Sequence, residues 1–177
     1  MGHTGNVKAV DGKAQFFGTP QSYLSIPFFS GNDLRPRYKL SLVLESGAAS
    51  GLPVTVVSNA RFRPSTFGIY IVQQGIYVVV VPRPDKQNSA LRTPVVVGLP
   101  LDISGPNRVT VDHDDETKDL WLTVNDKSVH AVVRMPMVSS EPLYIGAGSS
   151  PVQPTEPLSG FVSSLSFHKC PRKTNKR

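Results

Sequence analysis

The sequence predicts an all-β domain built as an antiparallel sandwich or barrel. Three observations lead there. The apolar segments are short and alternate with a period of two, as half-buried strands do. Sixteen prolines are spread so that the longest stretch without one, residues 107–135, itself alternates like strands, which leaves no room for a long helix. Turn residues separate the runs at hairpin spacing, with no helical segment between them.

Each element follows from its own residues. Residues 22–26 place Tyr23 on one face and Leu24 and Ile26 on the other. Residues 39–45 set Leu40, Leu42 and Leu44 against Ser41 and Val43. Strand-like runs follow at 54–57, 67–72, 76–81, 95–97, 108–112, 120–124, 129–133, 143–145 and 161–167. Valine and isoleucine, stiff at χ1, suit a pleated surface better than a helix. Gln73-Gln74-Gly75 reads as a short hairpin loop with the glycine supplying positive φ, and Asn125-Asp126-Lys127 as a second hairpin turn. Residues 112–119 read as a polar loop.

At 177 residues the chain fits one domain able to bury a core without staples. Hydrophobic content of 39% with 18% charged residues is foreign to disorder. No apolar run reaches the roughly 18 residues of a membrane helix. A single cysteine, Cys170, excludes an internal disulfide and a multi-cysteine zinc site. The first residues, Met1-Gly2-His3-Thr4-Gly5, lack the apolar stretch of a secretory signal. The chain divides into an N-terminal extension at 1–13, a sandwich at 14–168 and a flexible basic tail at 169–177.

Taken in order, several segments resemble a laminin-G-like domain. Residues 16–52 (FFGTPQSYLSIPFFSGNDLRPRYKLSLVLESGAASGL) are similar to the opening of that family, and 67–78 (FGIYIVQQGIYV) to its central hairpin. DLWLTVNDK at 119–127 matches its strand and turn, while PLYIG at 142–146 and LSGFVSSLSF at 158–167 resemble its closing signature. The resemblance implies a lectin-like jelly roll of two antiparallel sheets and an extracellular protein. Phe161 replaces the closing cysteine, so the family disulfide is not expected, and Asn107-Arg108 replace a common Trp-His pair. Thr66, preceded by Ser65, stands where the family's calcium-binding aspartate falls. A neutral hydroxyl is a poor ligand for a hard cation, so no cofactor is expected and calcium binding is absent or weak. Glu156 is the carboxylate that could take over.

The run Asp112-His113-Asp114-Asp115-Glu116 could serve as a paired-carboxylate site, since some jelly rolls are glycosidases. Its expected position in a turn argues for a solvated loop instead, and a glycoside hydrolase or lyase is the alternative reading. His3, His113, His130 and His168 show no metal-ligand spacing, and His130 is expected at the surface. Cys170, though near Lys169, Arg172 and Lys173, lacks a positioned base. Trp121 is expected to pack in the core or between strands rather than to stack on a sugar.

Basic residues stand above this background. Lysine and arginine total 19 against 13 acidic residues, a net charge of +6. They cluster at Arg35-Pro36-Arg37-Tyr38-Lys39, at Arg61-Phe62-Arg63, at Arg83-Pro84-Asp85-Lys86 and in the tail. The planar arginine fork suits sulfate and carboxylate. By resemblance, Arg61 and Arg63 lie in the loop where the family binds ligands. Both should point outward while Phe62 turns in. The expected function is therefore non-enzymatic recognition of a sulfated or acidic glycan, or of a glycosylated receptor, through Arg61, Arg63, Arg35, Arg37 and Lys39. Aromatic residues are too thinly interleaved among the basic ones for a nucleic-acid platform.

Overall fold

The computed structural model describes residues 5–26, 37–46, 51–83, 93–136 and 139–170. The described residues form strands and connections, with no helix. In chain order the strands are β1 (Lys8–Val10), β2 (Lys13–Phe17), β3 (Leu24–Ile26), β4 (Arg37–Ser46), β5 (Val54–Ser58), β6 (Phe67–Val72) and β7 (Gly75–Val80). They continue as β8 (Val95–Pro100), β9 (Asn107–Asp114), β10 (Asp119–Val124), β11 (Lys127–Val132), β12 (Leu143–Ile145), β13 (Glu156–Pro157) and β14 (Ser159–Cys170). A front sheet runs β1-β2-β14-β4-β9-β10-β11. A back sheet runs β3-β12-β5-β6-β7-β8, with β13 beside β5. Neighbours are antiparallel except β13 and β5. The expected two-sheet antiparallel jelly-roll sandwich is the fold observed.

Period-two alternation decides what is buried. Tyr38, Leu40, Leu42 and Leu44 of β4 face inward beside Val109 and Val111 of β9 and Leu120, Leu122 and Val124 of β10. They meet Phe67, Ile69, Ile71, Ile76, Val78 and Val80 from the back sheet. Full burial of each aliphatic side chain is worth about 1.5–3 kcal/mol, so this one layer carries the fold. β5 is buried at every position. Its core face explains Val54 and Val56, and the segment 148–155, anchored to Thr55 and Ser58, covers the other.

The turns differ from expectation in which residue takes positive φ. Val72 pairs directly with Gly75, so the connection is Gln73-Gln74 alone, and Gln73 has φ 54°. Gly75 is the first residue of β7, where an added Cβ would come within 2.9 Å of the Tyr77 ring. Val124 pairs with Lys127, leaving Asn125-Asp126 as the second turn, with Asn125 at φ 53°. Two-residue hairpin loops put positive φ at their first central residue, which asparagine tolerates.

Four other expectations are corrected. β1 lies within residues 1–13 and pairs with β2 from Lys8 opposite Gln15, so those residues extend the sheet. β14 continues past His168, pairing Lys169 with Tyr38 and Cys170 with Arg37, because the backbone ladder to β4 needs no apolar side chains. The acidic run is not all loop: Asp112, His113 and Asp114 belong to β9, and the connection to β10 covers only 115–118. Trp121 is 46% exposed on the outer face of β10, which it shares with Asp119 and Thr123.

His113 alternates inward with Val109 and Val111 and is fully buried. One ring nitrogen, Nε2, lies 2.9 Å from the Val133 carbonyl, which only accepts, so Nε2 carries the proton. Its Nδ1 and the neighbouring Tyr38 hydroxyl have no hydrogen-bond partner among the described residues. Burial, the largest influence, pushes the His113 pKa below its ordinary value.

Candidate functional site

The loop 59–66 between β5 and β6 forms a rim at the end of the sandwich where Tyr38 of β4 meets Phe67 edge-on at 5.7 Å. Asn59 closes its neck. The buried amide oxygen accepts from the Thr66 and Phe67 amides at 2.9 and 3.0 Å, and its Nδ2 donates to Thr66 Oγ1 at 2.8 Å. Glu141, just before β12, accepts from the Arg61 and Phe62 amides at 2.7 and 3.3 Å. Ser149 holds the far side, its amide donating to Ala60 O at 3.0 Å and its hydroxyl to Arg63 O. Ser149 is itself fixed by the Tyr70 hydroxyl, which donates to its carbonyl at 2.7 Å. Burial pushes the Tyr70 pKa up to about 12, so that proton stays in place.

Between loop 59–66 and the segment 148–155 lies an open groove of about 470 Å³. Arg61, Phe62, Arg63 and Pro64 form one wall. The two arginines do different things. Arg61 donates to the Pro20 carbonyl at 2.6 Å, and its guanidinium stacks 4.0 Å over the Tyr23 ring. Tyr23 in turn meets Tyr144 edge-on at 6.0 Å. Burial first, then the Glu141 charge, raises the Tyr144 pKa, with Arg61 opposing. Arg61 is thus a clamp between the rim and the strand edge. Arg63 is exposed, and its guanidinium has no partner among the described residues. Phe62 is 79% exposed rather than turned in, because a loop pinned through its amides has no period-two alternation to obey.

The other basic residues lie elsewhere. Arg37 and Lys39 stand on the outer face of the front sheet, alternating with buried Tyr38 and Leu40. Arg37 is spent on Asp112, bonded to both carboxylate oxygens at 3.2 and 3.3 Å, with Asp114 at 4.0 Å. Arg35 lies outside the described residues, as do Pro84-Asp85-Lys86 and residues 171–177. Of the five residues expected to bind together, Arg61 and Arg63 share the rim. Sequence reasoning missed Phe62, Glu141 and Ser149, whose roles arise from contacts 79 to 89 positions apart.

The oxygens around the expected calcium position are engaged in hydrogen bonds. Thr66 Oγ1 and Asn59 Oδ1 are engaged with each other's groups, and Glu141 is occupied by two amides. Glu156 lies beside Val54, at the opposite end of β5 from loop 59–66. Among the described residues no three histidine, cysteine or acidic groups gather as a metal site. No described helix is long and apolar enough to cross a membrane.

Fold and rim together describe a two-sheet antiparallel jelly roll, similar in fold to laminin-G-like domains. No protein-family model matches the sequence, and no curated protein matches it. Solved structures do match in fold. Botulinum neurotoxin type C, which depends on interaction with two ganglioside molecules to enter cells, superposes with a TM-score of 0.68 at 12% identity, over 94% of this chain and 42% of that one. Domains LG4-5 of the mouse laminin alpha1 chain give 0.64 at 13% identity, over 88% of this chain and 40% of that one. A mutant of Trypanosoma rangeli sialidase displaying trans-sialidase activity gives 0.64 at 12%, over 95% and 27%. The chain spans less than half the length of each.

Proposed function

We propose that the domain is a non-enzymatic extracellular recognition module that binds a sulfated or acidic glycan, free or on a glycosylated receptor, in the groove between 59–66 and 148–155. One observation carries the reading: the Arg63 guanidinium, without a partner among the described residues, stands beside an exposed aromatic ring, Phe62, on a loop already pinned through its backbone. The ring offers a surface for a sugar, and the fork offers paired donors to sulfate or carboxylate. Little ordering is left for binding to cost. The ganglioside dependence of botulinum neurotoxin type C, a protein of similar fold, supports the ligand class. No calcium takes part in this scheme.

Turnover of the glycan is not part of the proposal. Asp112 and Asp114 do alternate on one strand, as a glycosidase pair would, but Arg37 bridges them. A glycosidase acid needs a raised pKa, whereas hydrogen bonds from Thr117 and His130 lower that of Asp119.

A sulfated and sialylated glycan array at two salt concentrations tests the reading. Binding should weaken at higher salt, because screening shortens the reach of exposed charge, and Arg63→Ala and Phe62→Ala should each reduce it. Binding unaffected by either substitution removes the groove as the site. Release of reducing sugar would establish an enzyme instead.

A further inference from the structure

The front sheet carries a second surface with a different character. Along β10, Asp119, Trp121 and Thr123 stand in line on the outer face, about 7 Å from one to the next at two residues of strand rise. Trp121, the chain's single tryptophan, is 46% exposed. Across the ladder it faces His130 of β11, with ring centroids 4.6 Å apart and planes inclined by 34°. His130 Nε2 lies 2.7 Å from Asp119 Oδ1. A carboxylate only accepts, so Nε2 carries the proton and the imidazole is held in place. The indole is therefore braced by a ring that is itself fixed, while much of its surface remains open to solvent.

Beyond Trp121 lies a row of hydroxyls. Thr123 faces Ser128 on β11 with oxygens 2.9 Å apart, and on its other side Thr110 of β9, whose hydroxyl is 3.1 Å from that of Ser41 on β4. The charges nearby balance in number, with Arg37, Lys39, Arg108 and Lys118 against Asp112, Asp114, Asp115 and Asp119. Arg37 bridges Asp112 and Asp114, Lys118 meets Asp115 at 3.1 Å, and Asp119 has His130. At the rim Arg63 has no partner among the described residues, whereas this face carries both signs of charge in equal number.

We propose that the outer face of the front sheet around Trp121 is a second carbohydrate site, separate from the rim, which takes a neutral pyranose chain with one ring seated on the indole. A pyranose presents an apolar C–H face and a rim of hydroxyls. That shape calls for an aromatic plane flanked in-plane by fixed acceptors and donors, and Asp119 and the Thr123–Ser128 pair flank Trp121 in this way. Asp119, with lone pairs beyond the one used by His130, accepts from a sugar hydroxyl as a charge-assisted bond. The hydroxyls of Thr123 and Ser128 both donate and accept, which suits a ligand whose own groups do the same. The balanced charges complement a neutral ligand.

The single tryptophan makes the site directly observable. The full chain is titrated with β-1,4-linked hexasaccharides of glucose, mannose, galactose and xylose while tryptophan emission is recorded. The expected result is a saturable change with at least one of them, equal at low salt and at about 0.5 M salt, where exposed charges are screened. Excess heparin hexasaccharide should not compete. By calorimetry, Asp119→Asn should weaken that saccharide about tenfold, as loss of a hydrogen bond to a charged group implies. Trp121→Phe, which keeps a ring against His130, should retain part of the affinity and melt within about 2 °C of the parent, and Trp121→Ala should retain none while still unfolding cooperatively. Three results overturn the proposal: no hexasaccharide saturates; only the anionic competitor alters the emission; or the emission shifts with protein concentration alone, which would mean a second copy covers the face.

Discussion

Separating the two rim arginines tests whether Arg61 is structural and Arg63 is the ligand contact. Arg61→Ala removes a guanidinium hydrogen bond to the Pro20 carbonyl and the stacking over Tyr23. Hydrogen bonds to charged groups contribute about 1.5–3 kcal/mol, and a cation–π contact at an exposed site about 0.5–1. Water replaces part of the first at this rim, so the net loss should be about 2 kcal/mol, or roughly 4–8 °C in melting temperature for a domain of this size. Arg63→Ala removes no contact among the described residues, so its stability should stay within about 0.5 kcal/mol of the parent. On a heparin column the order should reverse. Arg63→Ala should elute at clearly lower salt, whereas Arg61→Lys, which keeps the charge but loses the fork, should elute near the parent while still melting early. Scanning calorimetry and a salt gradient on the same samples give both readouts. The reasoning is refuted if Arg61→Ala melts with the parent yet loses heparin retention, because Arg61 would then face the ligand.

Gly146 should not tolerate alanine: it holds φ 86°, and a Cβ there would run into the buried Phe16 ring. Left-handed backbone and overpacking together should cost about 3 kcal/mol, read as a lower midpoint in urea with an unchanged slope. Acid should expose His113. Its folded pKa is depressed, so the unfolded chain binds more protons below the ordinary histidine value; this contribution is fully present above about pH 6.5 and is lost as pH falls through the folded pKa. Relative to the parent, His113→Gln should flatten the urea midpoint between about pH 6.5 and 5, and an equally steep profile would acquit His113. Millimolar calcium should leave the melting temperature unchanged within about 1 °C; a rise of many degrees would show a cation site at the rim or elsewhere, through selective binding to the folded state.

The strands themselves were legible because alternation is a local property. Leu40, Leu42 and Leu44 need only their own chain to declare a buried face, and nearly every expected run appears within a few residues of its place. Chemically distinct turn pairs were equally readable, although which residue takes positive φ depends on the register of the flanking strands. Trp121 shows how such reading goes astray. Its neighbours Asp119 and Thr123 on the same face already marked that face as outer, but the size and apolar character of the ring suggested the core. Register across the ladder, which no single segment contains, decides that its partner is His130. The acidic run has the composition of a loop, yet β4 supplies the ladder that keeps Asp112 and Asp114 in a strand and the Arg37 that holds them.

The rim was least legible of all. A loop has no period, so nothing in Arg61-Phe62-Arg63 says which side chain is exposed; that follows from Glu141, Ser149, Pro20 and Tyr23, distant in sequence and brought together by packing. Sequence by itself determined the fold class and the inward faces, because both follow from backbone periodicity and the burial of apolar area. What the packing adds is which arginines are engaged, which aromatic is exposed and which carboxylates are paired, because those outcomes depend on neighbours that only the closed sandwich supplies.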